Sequence, residues 1–298
     1  MKIFYINNPA AGHKNGEKYF SLIVKEFENQ EIELHSVKTE YPGHATELVS
    51  TLDFNKFDGL AVSGGDGSLF ELVNGYFANS SNKRIPIGII PIGRGNAFAR
   101  DINLFPDRWQ ESIAAVKSKN TKMVDVGMFT SNEKKFYFIN ILGFGFVTDV
   151  GRTAFKLRAF GNLSYILGVL YQTIILKSYK LKMEVDGTLY ERNNVFVEVS
   201  NTQYTGKDFW MAPQAKIDDG MLDVTLLNRI SRTRILQCLP KIFKGTHSSM
   251  NEVEIFKGRK FKFETEPNKI LTPDGQLMEA TPIEIECIPR AIEVFVNN

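Results

Sequence analysis

Residues 57–67 read FDGLAVSGGDG and residues 84–96 read RIPIGIIPIGRGN. Each is a short apolar run that stops at a glycine-rich turn, and each turn opens a helical pattern, Ser68–Phe77 after the first and Asn96–Asp101 after the second. The same unit recurs upstream. Lys2–Asn7 reads as a strand before a helix over Gly16–Glu28, and Ile32–Lys38 as a strand before a helix over His44–Leu52. Arg108–Ser118 adds another helix downstream. Strands and helices alternating over connections this short predict a parallel sheet covered by helices. Ligands of such a sheet bind beyond the carboxyl ends of its strands. Those ends carry Asn8-Pro9-Ala10-Ala11-Gly12, Thr39-Glu40, Gly64-Gly65-Asp66-Gly67-Ser68 and Pro91-Ile92-Gly93-Arg94-Gly95-Asn96. All are small, polar or glycine-rich, and a parallel sheet gathers them on one edge.

Glycines let backbone N–H groups approach an anion, and a helix N-terminus adds a favourable dipole. The two turns therefore predict a phosphate site. Asp66 among them is either a helix cap or a carboxylate that works beside phosphates through Mg²⁺ or as a proton acceptor. Neither turn is a GxxxxGK[ST] loop, and neither fits GxGxxG.

From about Met123 the pattern changes to strand-like runs: MVDVGMF, KFYFINILGF, KLKMEVDG, NNVFVEVS, MLDVTLLN, KFKFETE, PIEIECI and AIEVFV. Helical patterns remain only over roughly Thr153–Ser178 and Ser231–Phe243. The expectation is an α/β domain over 1–122 and a β-rich domain over 123–289, with a last strand, about 290–298, free to return to the first domain. The cleft between the two is the expected active site.

Composition narrows the function. The 298 residues are 43% hydrophobic and 23% charged, with 36 Lys+Arg against 34 Asp+Glu. That balance argues against nucleic-acid binding by bulk charge. Cys238 and Cys287 are the only cysteines, too few for a disulfide scaffold, and fit a reducing cytoplasm. The most apolar stretch, LSYILGVLYQTIIL at 163–176, is short for a membrane span and interrupted by Gln172, so no transmembrane segment is expected. The four histidines lack metal-ligand spacing, and no GxSxG is present. Lys177, Lys180 and Lys182 read as a solvated face, with docking to an anionic membrane as the alternative. Phe144, Phe146 and Phe209 are candidates to line a lipid slot.

GGDGSLFELVNG (64–75) followed by IPIGRGNAFARDI (90–102) resembles the diacylglycerol kinase catalytic-domain family, which includes bacterial lipid kinases and sphingosine and ceramide kinases. NNPAAG (7–12), Thr39, DVG (125–127), GFGF (143–146), DDGMLDV (218–224) and PDG (273–275) fit in the family's order. The resemblance implies an α/β nucleotide-binding domain plus a β-sandwich domain, with ATP and Mg²⁺ in the cleft. It implies that Asn8, Pro9, Thr39, Gly64, Gly65, Asp66, Gly67, Ser68, Glu71, Gly93, Arg94, Gly95, Asn96 and Arg158 line the nucleotide. It makes Asp274 the catalytic base and counts Asp66 as catalytic too. It gives Asp219 a structural metal and Asp125 a place in a water–Mg²⁺ network, so that the metal set is Asp66, Asp125 and Asp219.

Four positions depart from the family's usual pattern. Arg94 stands where Thr or Ser is common, Ala97 follows Asn96, Gly151 stands where sphingosine kinases carry an acid for the lipid amine, and Gln276 follows PDG. The expected activity is ATP- and Mg²⁺-dependent phosphorylation of a hydroxyl on a diacylglycerol-like or sphingoid lipid. The partner is a lipid at a membrane surface, reached from the cytoplasm at the inner membrane face, and a homodimer stays open. The alternatives are a soluble-substrate kinase of the NAD-kinase kind and a non-catalytic nucleotide or lipid binder.

Overall fold

The structure, a computed structural model, describes residues 1–131, 133–157, 160, 163–206 and 208–297. In the first half the order is β1 (Lys2–Asn7), α1 (Ala11–Asn29), β2 (Glu33–Lys38), α2 (His44–Thr51), β3 (Gly59–Gly64), α3 (Asp66–Ala78), β4 (Ile87–Pro91), α4 (Ala97–Asp101) and α5 (Gln110–Ser118). The strands pair in parallel in the order β2-β1-β3-β4. Alternate residues face opposite sides. Phe4, Ile6, Leu60 and Val62 pack with Val49, Leu72 and Val73 of α2 and α3. Ile3, Tyr5 and Ala61 pack with Ile23, Phe27, Ile113 and Val116 of α1 and α5. Helices thus cover both faces, which leaves the carboxyl edge for function.

The second half runs β5 (Thr121–Ser131), β6 (Lys134–Phe138), β7 (Ile141–Gly145), α6 (Phe146–Lys156), α7 (Leu163–Ile174), β8 (Tyr179–Val185), β9 (Thr188–Ser200), β10 (Tyr204–Thr205), β11 (Phe209–Trp210), β12 (Leu222–Asn228), α8 (Arg232–Phe243), β13 (Val253–Gly258), β14 (Lys260–Glu266), β15 (Ile270–Pro273), β16 (Met278–Ala280) and β17 (Ile283–Phe295). It is the β-sandwich-like half, built on Phe129, Phe138, Phe144, Phe261, Phe263, Val197 and Val199. KFKFETE shows the period-2 logic plainly, with Phe261, Phe263 and Thr265 buried and the charged residues exposed. β17 links the two halves. It pairs antiparallel with β14 and β5, and parallel with β4 at Val294–Ile87.

Three expectations change, and a fourth, the solvated lysine face, holds. KFYFINILGF is not one strand but β6 and β7, broken at Ile139-Asn140. The helix expected over 153–178 is α6, which starts earlier at Phe146, and α7. PIEIECI and AIEVFV are one strand with a register shift between Ile288 and Ile292. Lys180 and Lys182 are exposed and pair across strands with Glu266 and Glu264 at 3.3 and 3.8 Å, the bland solvated face.

Candidate active site

The turns after β1, β3 and β4 close on one another. Ile92 and Gly93 donate their N–H groups to the Gly64 carbonyl at 3.0 and 2.8 Å. Asn8 Nδ2 donates to Ser68 Oγ at 2.9 Å. A Cβ on Gly93 would lie 2.3 Å from the Gly65 Cα, and one on Gly64 would lie 2.2 Å from Ser68 Oγ. A Cβ on Gly95 would meet Asp66 Oδ2 at 2.2 Å. So these glycines are required by the packing of the turns themselves, before any ligand is considered. The turn after β1 is also strained: Gly12, His13 and Lys14 stand at φ 57°, 60° and 72°. Strain of this kind collects at functional sites.

Asp66 begins α3, and its Oδ1 accepts the Ala97 N–H at 2.8 Å. The break between β6 and β7 aims three successive N–H groups at Asp274: Ile139 donates to Oδ2 at 2.9 Å, and Asn140 and Ile141 donate to Oδ1 at 3.0 and 2.9 Å. Asn201 holds that break by donating Nδ2 to the Ile139 and Asp125 carbonyls at 2.8 and 2.9 Å. Asn140 stands between the two acids, with Nδ2 3.5 Å from Asp66 Oδ1.

Burial pushes Asp66 up to about 6, against the N–H donors of Ala97 and its neighbours. Burial also pushes Asp274 up to about 7; its three N–H donors oppose the rise, and the Asp66 charge adds to it. Two desolvated, mutually repelling carboxyls beside a helix N-terminus suit a cation held between them and phosphate, so Asp66 fits a Mg²⁺ ligand.

From this pair an apolar cavity of about 540 Å³ extends into the second half. Its floor is one face of β15-β7-β9 and its roof is α6, α7 and α8, with Phe146, Val150, Phe196, Phe209 and Ile235 among its walls. Phe144 does not line it. It alternates to the other face of β7 and packs edge-on against Phe263 at 5.5 Å.

The other expected residues are placed as follows. Asn96 is buried at φ 56° and closes its own turn on Gly93. Thr39 follows β2 and donates its N–H to the Asn7 carbonyl at 2.9 Å. Glu71 accepts the Gly43 and Ala45 N–H groups at 2.9 and 3.3 Å, capping α2 across the site edge. His44 stacks on Tyr41 with centroids 4.6 Å apart. Arg94 is exposed, with Nη2 2.8 Å from His13 Nδ1 in the strained first turn. Arg158 lies outside the described residues.

Asp125 and Asp219 lie away from this pair, at a second acidic cluster. Asp125 accepts the Gly220 N–H at 2.6 Å and the Arg290 N–H, which the shifted β17 register presents, at 2.7 Å. The Lys257 ammonium sits 2.6 Å from Asp219 and 3.6 Å from Asp223. Here the chain supplies its own cation, and the donor set does not fit a metal unless Lys257 leaves. Without nucleotide, chelating Mg²⁺ is therefore expected to leave the melting midpoint of the native protein unchanged. In Lys257→Ala the midpoint should instead rise with added Mg²⁺. A midpoint that falls on chelation in the native protein but not in Asp219→Ala would show the metal there after all.

Two buried polar residues escaped the sequence reading. Asn140 sits inside KFYFINILGF and Glu198 inside NNVFVEVS, each a lone polar residue in an apolar run. That interruption was the one signal, and only the fold shows that both face the cavity.

The comparisons with known proteins agree with this geometry. The diacylglycerol kinase catalytic domain matches residues 2–129, and the YegS C-terminal NAD kinase beta sandwich-like domain matches residues 140–296. The diacylglycerol kinase of Bacillus subtilis is 26% identical, covering 98% of this chain and 95% of its own. Sphingosine kinase 1 of Arabidopsis thaliana is also 26% identical, covering 98% of this chain and 71% of its own. A crystal structure described as a diacylglycerol kinase from Bacillus anthracis superposes with a TM-score of 0.74 at 25% identity, over 99% of this chain and 97% of that one. With both halves matched in order, the chain belongs to the family of diacylglycerol- and sphingosine-type lipid kinases.

Proposed function

We propose that the protein transfers the γ-phosphoryl group of ATP to a hydroxyl of a diacylglycerol-like or sphingoid lipid. The observation that carries this reading is the Asp66–Asn140–Asp274 cluster at the head of an apolar cavity. Phosphoryl transfer needs little covalent chemistry from the protein, mainly positioning and charge stabilisation. The turns after β1, β3 and β4, including Asn8, Pro9, Gly64 to Ser68 and Gly93 to Asn96, would receive the nucleotide. Asp66 would hold Mg²⁺, which neutralises phosphate charge when bound. Asp274 would accept the proton of the attacking hydroxyl. The acyl chains would lie along Phe146, Val150 and Phe209.

The substrate would arrive from a membrane surface. Phe155, Phe160, Leu163, Ile166, Leu170 and Ile174 are exposed on or between α6 and α7, which roof the cavity. Large exposed apolar side chains beside a lipid slot suit an interfacial enzyme. No helix among the described residues is long and apolar enough to cross a membrane. The division at about residue 122 is retained as a proposal, with the site between the two parts.

Incubation with labelled ATP, a lipid panel and NAD as competitor tests the reading. Labelled lipid supports it; labelled NAD, or no transfer, overturns it. Arg94 gives a second test. Its guanidinium rims the nucleotide turns, so Arg94→Thr is expected to raise the KM for ATP several-fold at low salt and less at high salt, where screening has already weakened the contact. An unchanged KM at both salts would leave Arg94 as a surface partner of His13.

A further inference from the structure

Glu198 lies on β9 opposite Gly143 of β7, and Gly143 lies opposite Thr272 of β15. Residues directly opposed in a sheet share a face, so Glu198, Gly143 and Thr272 form one row across the cavity floor, and all three line the cavity. Gly143 leaves that row open. A Cβ there would meet nothing nearer than 3.7 Å. Glu198 is 0% exposed. Its Oε1 accepts the hydroxyls of Thr205 and, at 3.3 Å, Ser200. Its Oε2 is buried with no hydrogen-bond partner among the described residues.

A carboxyl so placed has one oxygen committed to two donors, and the other buried without a partner among the described residues. Burying an unpaired charge is costly, whereas a neutral carboxyl is a hydrogen-bond donor in need of an acceptor. Burial pushes Glu198 up to about 7, so it holds its proton up to neutrality.

Resting on the lipid-kinase reading above, we propose that Glu198 is a specificity-determining residue whose Oε2 hydroxyl donates a hydrogen bond to an acyl carbonyl of the bound lipid. Position favours a carbonyl over an amine. Two strand spacings separate β9 from β15, about 10 Å across the sheet, and Asp274 directly follows β15, where the reacting hydroxyl would sit. An amine on the carbon next to that hydroxyl is three bonds of about 1.5 Å from its oxygen, at most about 4 Å away. An acyl carbonyl lies several bonds further along the lipid, and the two side chains close part of the gap.

The test is turnover by the full chain on diacylglycerol and on its dialkyl ether analogue, which offers no carbonyl. An N-acylated sphingoid and a free sphingoid base extend the comparison, and the melting midpoint of each variant is read alongside. The native enzyme is expected to prefer the ester. Glu198→Leu should raise KM for the ester roughly ten-fold, the scale of one neutral hydrogen bond, with kcat and the ether lipid little affected. Glu198→Gln, whose amide still donates, should keep the ester preference. The N-acylated sphingoid separates an amide from an ester carbonyl as the acceptor. Equal losses on ester and ether lipids overturn the assignment while leaving the kinase reading intact. So does a native preference for the free sphingoid base that Glu198→Gln abolishes, since that would make Glu198 the anion for an ammonium. No turnover of any lipid overturns the kinase reading, and Glu198's role falls with it.

Discussion

Asp274→Asn is expected to lower turnover by ~10²–10⁴-fold, the usual scale for removing a general base, while ATP affinity stays nearly unchanged. The substitution keeps the shape but not the chemistry. Asn has one acceptor oxygen where Asp274 offers two to three N–H groups, so part of that cradle is lost. The pH dependence separates the two effects. Asp274 is raised to about 7 in the folded chain, so its contribution to stability is full below pH ~3.9 and is lost as pH rises through about 7. Catalysis runs the other way, because the base must be ionised, and turnover should climb through the same window. In Asp274→Asn both slopes should flatten. In the metal-free protein Asp66→Asn should move the loss of Asp274's stability contribution to lower pH, because the Asp66 charge raises Asp274. The acids are coupled, so the profile reports the pair rather than either residue alone. Near-native kcat in Asp274→Asn on a lipid the native enzyme uses would assign the proton to another acceptor, with Asp66 the first to examine.

The second large effect is expected at Gly93→Ala. Its Cβ would stand 2.3 Å from the Gly65 Cα, 2.6 Å from the Gly65 nitrogen and 3.0 Å from the Gly64 carbonyl carbon. All three are backbone atoms, which cannot rotate away as a side chain would. The β3 and β4 turns must then separate. A loss of ~3 kcal/mol is the expected scale for such overpacking, together with a clear rise in the KM for ATP. Gly151→Ala is the control for stability. It lies in α6 with nothing among the described residues within 4 Å of its Cβ, and alanine in a helix gains up to ~1 kcal/mol over glycine. Equal midpoints for the two variants would mean that the turns are looser than their geometry implies.

The parallel sheet and its turns were legible because two independent signals coincide there. Apolar runs such as GLAVSG and IGIIP are bounded by glycines, and helical periodicity follows each. The glycines were read as ligand-facing, and their contacts add a second reason that sequence could not supply: turn packs on turn across 28 residues, from Gly65 to Gly93. Asp274 came from resemblance alone. Its N–H cradle depends on Ile139 and Asn140 breaking a run whose composition is that of an unbroken strand. Glu198 was hidden for a related reason: a lone acid in an apolar strand looks the same in sequence whether it faces solvent, a core partner or a cavity. Phe144 shows the converse limit. One register step from Gly143 decides which side of the sheet it fills, and sequence does not reveal which side holds the slot.

β17 carries a consequence for how the chain is made. It leaves the ribosome after β4, β5 and β14, and all three wait for it. Until it arrives, the finished-looking first half keeps β4 as an open edge, the kind of edge that recruits other chains. The order of synthesis therefore runs against independent folding of the two halves. A released chain that ends at residue 280 should be far more dependent on chaperones, and more prone to aggregate, than one fifteen residues longer.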